Sequence, residues 1–211
     1  MIKVLLADDH PVFRDGIRRI LEREADIKVV GETDSGDKIL ALVAELKPDV
    51  LLLDISMPGP SHLAVLHDLK EREPRVRVLM FSGHDEAEYG ISSLRHGASG
   101  FVSKSFRGPD LVEAVRRVHA GRRYVSEQLA EQLADGVDQD ATLAPHLKLA
   151  ARELEVLTMI ASGLSLKEIG AKLNVSPKTV GGYRARILKG LGVSSNAEIV
   201  KYALEHDLVN E

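Results

Sequence analysis

The amino-acid sequence predicts an α/β domain built on a five-stranded parallel sheet, followed by a small all-α domain of four helices. Three observations carry this. Short apolar runs alternate with helix-period patterns over residues 1–121, a stretch without periodicity follows, and only helical patterns lie beyond it. Strands alternating with helices imply a parallel sheet covered on both faces.

The strand runs are Ile2 to Ala7, Ile27 to Glu32, Val50 to Leu53, Val76 to Phe81 and Gly100 to Ser103. Helical faces with a 3.6-residue period stand between and after them: Phe13, Ile17 and Leu21; Ile39, Val43 and Leu46; Ala87, Ile91 and Leu94; Leu111, Val115 and Val118. Pro11 occupies a first helical turn, where its missing N–H costs nothing, and Gly97 stands where a helix end favours a left-handed residue. Residues 122–147 read as a linker, with a short helix from Ser126 to Leu133 and an aperiodic stretch from Asp135 to Pro145.

From residue 148 onward the pattern is helical. Leu154, Leu157, Ile160 and Ala161 form one face, and Ser165 with Glu168 reads as a capping box opening a second helix that carries Ile169 and Leu173. Asn174-Val175 forms a tight turn. Ser176-Pro177 then opens a third helix running to about Gly190, and Ser195 caps a fourth. Two short helices around a tight turn are the outline of a helix-turn-helix.

Composition narrows the function classes. An apolar content of 44% and a charged content of 28% are those of a soluble globular chain. With no long apolar span and no signal-like start, a cytoplasmic location and no membrane partner are expected. The absence of cysteine removes disulfides, thiol catalysis and Cys-based zinc sites. The eight histidines show no HExxH spacing, and His62 and His67 do not share a helix face. The net charge of −4 is unevenly spread: residues 148–211 carry 9 Lys/Arg against 7 Asp/Glu, and no acid stands between Ile169 and Ala197. Such a cationic stripe fits either a polyanion partner or a solvated helix face.

Four polar residues end the apolar runs: Asp8, Asp9, Asp54 and Lys104. In an open parallel sheet, residues at the carboxyl ends of the strands converge on one crevice. Three carboxylates and a lysine there suit a hard cation with oxygen ligands and a carboxylate able to receive a phosphoryl group. Each residue alone has a plainer reading. Asp54 could cap a helix, as could Asp8 and Asp9; Phe101 could be core; Ser82 and His84 could be loop residues. His10 is expected to pack beside the crevice rather than bind metal.

Four motifs carry a resemblance: Leu-Leu-Ala-Asp-Asp-His-Pro at 5–11, Leu-Leu-Leu-Asp-Ile-Ser-Met-Pro-Gly at 51–59, Phe-Ser-Gly-His-Asp-Glu at 81–86 and Gly-Phe-Val-Ser-Lys at 100–104. With these the first part resembles the receiver domain of two-component response regulators, a flavodoxin-like fold. Arg152-Glu153, Gly163-Leu-Ser-x-Lys-Glu-Ile169, Leu173-x-Val-Ser-Pro-Lys-Thr-Val180 and Leu191-Gly-Val-Ser194 make the rest similar to the LuxR-type DNA-binding domain. Nearly the whole chain thus resembles the NarL/FixJ subfamily.

The resemblance implies roles. Asp54 is the phosphoacceptor, receiving its phosphoryl group from a sensor histidine kinase. Asp8, Asp9, Asp54 and the backbone carbonyl of Ser56 hold Mg2+. Lys104 and Ser82 contact the phosphoryl group, and Ser82 and Phe101 form the switch that remodels the surface for a homodimer on double-stranded DNA. Two departures stand out. Ser105 follows Lys104 where many receivers have proline, which relaxes any demand for a cis peptide, and His62-Leu63 replaces a Gly-Leu pair, which bears on the packing of the loop after Asp54 and on the phosphoryl lifetime.

On the third helix of the second domain, Val180, Ile187 and Leu191 face inward. The opposite face holds Lys178, Gly182, Ala185 and Lys189, flanked by Gly181 and Arg186. Lys178, Arg186 and Lys189 are expected to pair with phosphates, Thr179 and Tyr183 to add backbone hydrogen bonds, and Arg184 to reach outward from the apolar side. The family usually carries larger side chains at Gly181 and Gly182, where bases are read, so recognition here is expected to lean on phosphates, DNA shape and dimer spacing.

The sequence therefore reads as a phosphorylation-controlled, DNA-binding transcriptional regulator, not an enzyme beyond autophosphatase activity. Two alternatives remain at this level. One is a receiver-type module that acts by binding protein without DNA. The other is an aspartate-nucleophile phosphatase of the haloacid dehalogenase type, although Ser56 stands where such enzymes place a second aspartate.

Overall fold

A computed structural model describes residues 1–83, 86–134, 144–206 and 208–209, without the side chains of residues 86–88, 132, 134, 147 and 151. The expectations for His84, for the Ala87 side chain and for most of the aperiodic stretch, 135–143, lie outside the described residues. The chain divides into two compact units, residues 1–139 and 140–211.

In the first unit five strands, β1 (Ile2–Ala7), β2 (Ile27–Thr33), β3 (Val50–Asp54), β4 (Arg77–Ser82) and β5 (Gly100–Ser103), pair in parallel in the order β2-β1-β3-β4-β5. Helices α1 (Pro11–Leu21), α2 (Ile39–Leu46), α3 (His62–Arg72), α4 (Glu86–Arg95) and α5 (Gly108–His119) connect or follow the strands. Residues of one strand parity, Val4, Leu6, Val50, Leu52, Leu79, Phe81 and Val102, build a core with Ile17 and Leu21 of α1 and Leu111, Val115 and Val118 of α5. The other parity, Leu5, Leu51, Leu53, Met80 and Phe101, is equally buried on the face that α2, α3 and α4 cover. Every residue of β3 is buried. That is why the central strand reads as a continuous apolar run rather than as an alternation.

Local signals act where the sequence places them. Pro11 opens α1, and Gly97 takes φ 112° after α4. His62 starts α3, where it is buried edge-to-face against Tyr89 of α4 with ring centroids 6.1 Å apart. All peptide bonds of the described residues are trans, that between Lys104 and Ser105 included. The short helix is α6 (Glu127–Ala134). Ahead of it, Tyr124 bridges Gly100 at the sheet edge and its carbonyl accepts the Phe101 N–H at 2.8 Å. A Cβ on Gly100 would lie 2.5 Å from that carbonyl, so the close approach needs glycine.

The second unit begins with a 3-10 turn at Pro145–Lys148 and continues with α7 (Ala151–Ala161), α8 (Leu166–Leu173), α9 (Pro177–Leu191) and α10 (Asn196–Glu205). Leu154, Leu157, Ile160, Ile169, Val180, Ile187 and Ile199 form its buried interior. Ser165 and Glu168 exchange the two bonds of a capping box, and Ser176 Oγ accepts the Thr179 N–H at 3.1 Å. Asn174 adopts the left-handed conformation, φ 55°, that closes the turn between α8 and α9. Gly170 makes the turn tight: a Cβ there would stand 2.8 Å from the Val175 carbonyl.

Candidate functional site

Because β1 and β3 are neighbours whose following helices leave on opposite sides, their carboxyl ends frame the crevice of the sheet. Asp8 follows β1 and Asp54 ends β3, and both carboxylates are buried. Lys104 follows β5 and reaches across β4. Its Nζ stands 2.7 Å from Asp54 Oδ2 and 3.1 Å from Asp8 Oδ2, and its backbone N–H holds the Ser82 carbonyl at 2.7 Å. The Ser56 N–H donates to Asp54 Oδ1 at 3.4 Å, so the loop after β3 folds back over the carboxylate. Ser82, the last residue of β4, and Phe101, within β5, are both buried.

The acidic residues leave capacity for a cation. Donor atoms of Asp8, Asp9, His10 and Asp54 all lie within 4.8 Å of one another. Asp8 Oδ2 and Asp9 Oδ1 are shielded from solvent yet accept no well-directed hydrogen bond, although Lys104 and His10 nitrogens lie near them. Buried carboxylate oxygens in this condition fit a hard divalent ion. The reading of Asp8 as a helix cap holds only in part: its Oδ1 accepts the His10 N–H at 2.6 Å, but the residue that caps α1 is His10, whose own side chain makes no capping bond.

The outward residues of α9 are placed less uniformly than their charges imply. Lys178 and Lys189 make no ion pair among the described residues and are exposed. Arg186 is clamped by Glu153 at the start of α7 and lies 4.9 Å over the Tyr183 ring, and Arg184 Nε donates to Asn196 Oδ1 at 2.6 Å. Thr179 shares a hydrogen bond with Ser176 Oγ. Gly181 would meet nothing within 4 Å if given a Cβ, and Gly182 only the tip of Arg186 at 4.0 Å, so no internal packing requires either glycine.

Residues 4–116 match the response regulator receiver domain family, and residues 147–203 match the bacterial regulatory proteins of the luxR family. The response regulator UvrY of Escherichia coli (strain K12) is 37% identical over 211 residues, covering 100% of this chain and 97% of its own. The response regulator GacA of Pseudomonas aeruginosa is also 37% identical, over 100% of this chain and 99% of its own. This chain is a LuxR-type response regulator. Among solved structures the regulator is similar to RcsB from Salmonella enterica serovar Typhimurium bound to promoter rprA with the phosphomimetic BeF3−, at 25% identity and TM-score 0.69 over 95% of this chain and 97% of that one. No described helix of the regulator is long and apolar enough to cross a membrane.

The electrostatics of the receiver pocket follow from its burial. Burial pushes the Asp54 carboxyl above the ordinary carboxylate range, and the Lys104 ammonium offsets this only in part, with Asp8 adding repulsion. For Lys104 burial works against the charge, but the bond to Asp54 and the ion pair with Asp8 outweigh it and hold the ammonium above its usual value. Sequence reasoning missed the aromatic wall of this pocket. The Phe13 and Phe81 rings stack 5.8 Å apart and lie 5.0 and 5.2 Å from Lys104 Nζ, and Phe106 meets Phe13 edge-on. A phenylalanine two residues after the Asp-His-Pro run was the available signal. Glu153 was missed as a partner of Arg186, because pairing between helices leaves no trace in spacing.

Proposed function

We propose that the regulator accepts a phosphoryl group on Asp54 from the phosphohistidine of a sensor histidine kinase and thereby controls transcription from double-stranded DNA in the cytoplasm. The observation that carries this is the pairing of Lys104 Nζ with Asp54 Oδ2 at 2.7 Å, a carboxylate held beside a cation at the carboxyl edge of the sheet. In the transfer, an Asp54 oxygen lone pair forms the new O–P bond while the P–N bond breaks. The electron pair leaves with the imidazole nitrogen, which takes up a proton. Lys104 and the Ser82 hydroxyl serve the phosphoryl oxygens as charge and donor. Asp8, Asp9, Asp54 and the Ser56 carbonyl would hold Mg2+, which when bound offsets the repulsion between carboxylate and phosphoryl group. The chain gains no turnover of a separate substrate from this pocket, so it acts as an acceptor, with at most autophosphatase activity.

Phosphorylation is read by Ser82, at the end of β4, and Phe101, on the neighbouring strand β5, which pass the change to a surface that favours a homodimer. On the output side Lys178 and Lys189 bind phosphates, while Thr179, Tyr183 and the open faces of Gly181 and Gly182 let α9 approach the duplex closely. Eleven residues apart, the two lysines stand about 16 Å from each other along the helix, enough to reach a backbone strand on each side of a major groove about 12 Å wide. Arg186 and Arg184 have internal partners and contribute chiefly by fixing α9 to α7 and α10.

Incubation with Mg2+ and a small phosphodonor tests this reading. Wild type should gain mass and retard promoter fragments more strongly, and Asp54→Ala should do neither. Equal mass gain in both proteins would remove Asp54 from its role. Uptake on Asp54 without retardation of any fragment would favour a module that acts on protein alone.

A further inference from the structure

The inward face of α1 runs from the core into the pocket. Ile17 and Leu21 are buried among the core residues, and Phe13, one turn earlier on the same face, packs against that core while only partly buried. An aliphatic side chain would continue that face equally well; a ring adds something else. Lys104 Nζ stands over the Phe13 ring, 5.0 Å from its centroid, and over the Phe81 ring at 5.2 Å, inside the roughly 6 Å at which an ammonium is drawn to the negative face of a ring. The two rings are held as a pair. They stack with an interplanar angle of 12°, and Phe106 meets Phe13 at 72° with centroids 6.0 Å apart. Phe106 belongs to the same loop as Lys104, and its N–H donates to the Ser103 carbonyl at 3.0 Å. The loop that carries the ammonium thus also braces the ring it stands over.

We propose that Phe13 is a positioning residue of the acceptor pocket: its ring, paired with that of Phe81, seats the Lys104 ammonium against Asp54. This seat builds on the reading of Asp54 as the phosphoacceptor that Lys104 serves. A lysine ends in a compact, strongly hydrated charge on a flexible four-carbon stem, so by itself it settles in no fixed place. Only 19% of the Lys104 side chain is exposed, and most of its hydration has to be replaced. Asp54 Oδ2 at 2.7 Å and Asp8 Oδ2 at 3.1 Å replace part of it. The ring faces replace more, without a hydrogen-bond acceptor that would draw the ammonium away from the carboxylates. An attraction of this kind strengthens as water is excluded. Once Asp54 carries a phosphoryl group, the ammonium has to turn from a carboxylate oxygen to a phosphoryl oxygen. A ring face sets no hydrogen-bond direction, so it permits that movement while keeping the charge in the pocket.

Replacement of Phe13 in the full-length protein by mono-, di- and trifluorophenylalanine tests this, because fluorine keeps the shape of the ring while withdrawing negative charge from its face. Two rates are read: exchange of the Lys104 ammonium protons, by proton–nitrogen NMR without metal, and phosphoryl uptake on Asp54 with Mg2+ and a small phosphodonor. Each added fluorine should speed the exchange and slow the uptake. The trifluoro ring and Phe13→Leu should each take up the phosphoryl group about tenfold more slowly than wild type, and Phe13→Tyr, which keeps an electron-rich ring, should stay within about twofold. A ring that merely fills space would leave both rates level through the fluorine series, and that result overturns the seat. A loss in Phe13→Leu without a fluorine trend overturns it as well, since packing then accounts for the effect. Ammonium exchange needs no phosphoryl chemistry. If uptake falls on a residue other than Asp54, the reading of the acceptor is lost, and the exchange series alone decides the seat.

Discussion

Lys104 and Asp54, fifty residues apart in sequence, meet at 2.7 Å in a pocket whose burial works against the charge on both. The pair is therefore a balance rather than a simple attraction. Removing one partner of a buried ion pair leaves an uncompensated charge, at a cost of about 3 to 5 kcal/mol before the group neutralises. Lys104→Met should accordingly drive the Asp54 carboxyl still further above the ordinary carboxylate range. Carbon NMR titration of the aspartate carboxyls, without metal, reads this directly. An Asp54 titration that does not move would show that Lys104 does not control its charge.

The opposite substitution tests the sign of the same balance. Because the folded protein raises the Asp54 pKa above the unfolded value of 3.8, folding favours the protonated carboxyl. This group's contribution to stability is thus complete below the unfolded pKa and lost as pH rises through the folded one. At neutral pH and without metal the ionised Asp54 is a net cost. Asp54→Asn leaves Lys104 its second partner, Asp8, at 3.1 Å, and should then raise the midpoint of thermal unfolding at neutral pH, with a gain that shrinks in acid as the wild-type carboxyl protonates. A stabilisation of equal size at every pH would trace it to packing instead of charge.

How far this pocket was legible in the sequence depended on what placed each residue. Asp8, Asp54 and Lys104 end apolar runs, and parallel topology brings run ends together, so their convergence followed from chain order alone. The core faces of α1 and α5 were equally legible, since Ile17, Leu21, Leu111, Val115 and Val118 keep a helical period and all are buried. The α9 surface was not. Lys178, Arg184, Arg186 and Lys189 look alike as a charge run, yet among the described residues only the lysines have no ion-pair or hydrogen-bond partner for the side chain, because Glu153 and Asn196, on other helices, hold the two arginines. Spacing along one element says nothing about partners on another. Tyr124 was hidden for a related reason: it joins the sheet edge through backbone hydrogen bonds, which its side chain does not announce.

His146 supplies a pH dependence in the second unit. It is fully buried, with Nδ1 3.1 Å from the Tyr202 hydroxyl and its ring 5.1 Å from that of His206. Burial, and then the neighbouring His206, push the imidazole down from 6.5 to about 4. The folded state therefore refuses a proton that the unfolded chain accepts. Stability is complete above the unfolded value and falls as pH drops from 6.5 towards 4, by about 1.4 kcal/mol for each pH step of one, or on the order of 3 kcal/mol in all. Hydrogen exchange of the α10 amides across this range should show the loss, and His146→Gln should flatten it while lowering stability at neutral pH. A wild-type profile flat through this window would rule out a buried neutral imidazole.

Gly181 offers the most direct handle on the proposed approach of α9 to DNA. Glycine inside a helix costs roughly 1 kcal/mol relative to alanine, and open space around the Gly181 Cβ position shows that no neighbour among the described residues demands the sacrifice. Gly181→Lys should leave the fold intact, add helical stability and place an ammonium between Lys178 and Lys189. If α9 is held by phosphates, each new contact steepens the dependence of log affinity on log salt by about 0.9. The variant should therefore bind more tightly at low salt, with a slope steeper by about that amount and with little change in base preference. Titration of one promoter fragment over a series of salt concentrations gives the slope, and selection from a randomised duplex library gives the preference. A slope parallel to that of wild type would mean that Gly181 does not face a phosphate strand. A newly acquired guanine preference would mean instead that it faces the groove floor, where lysine reads base edges.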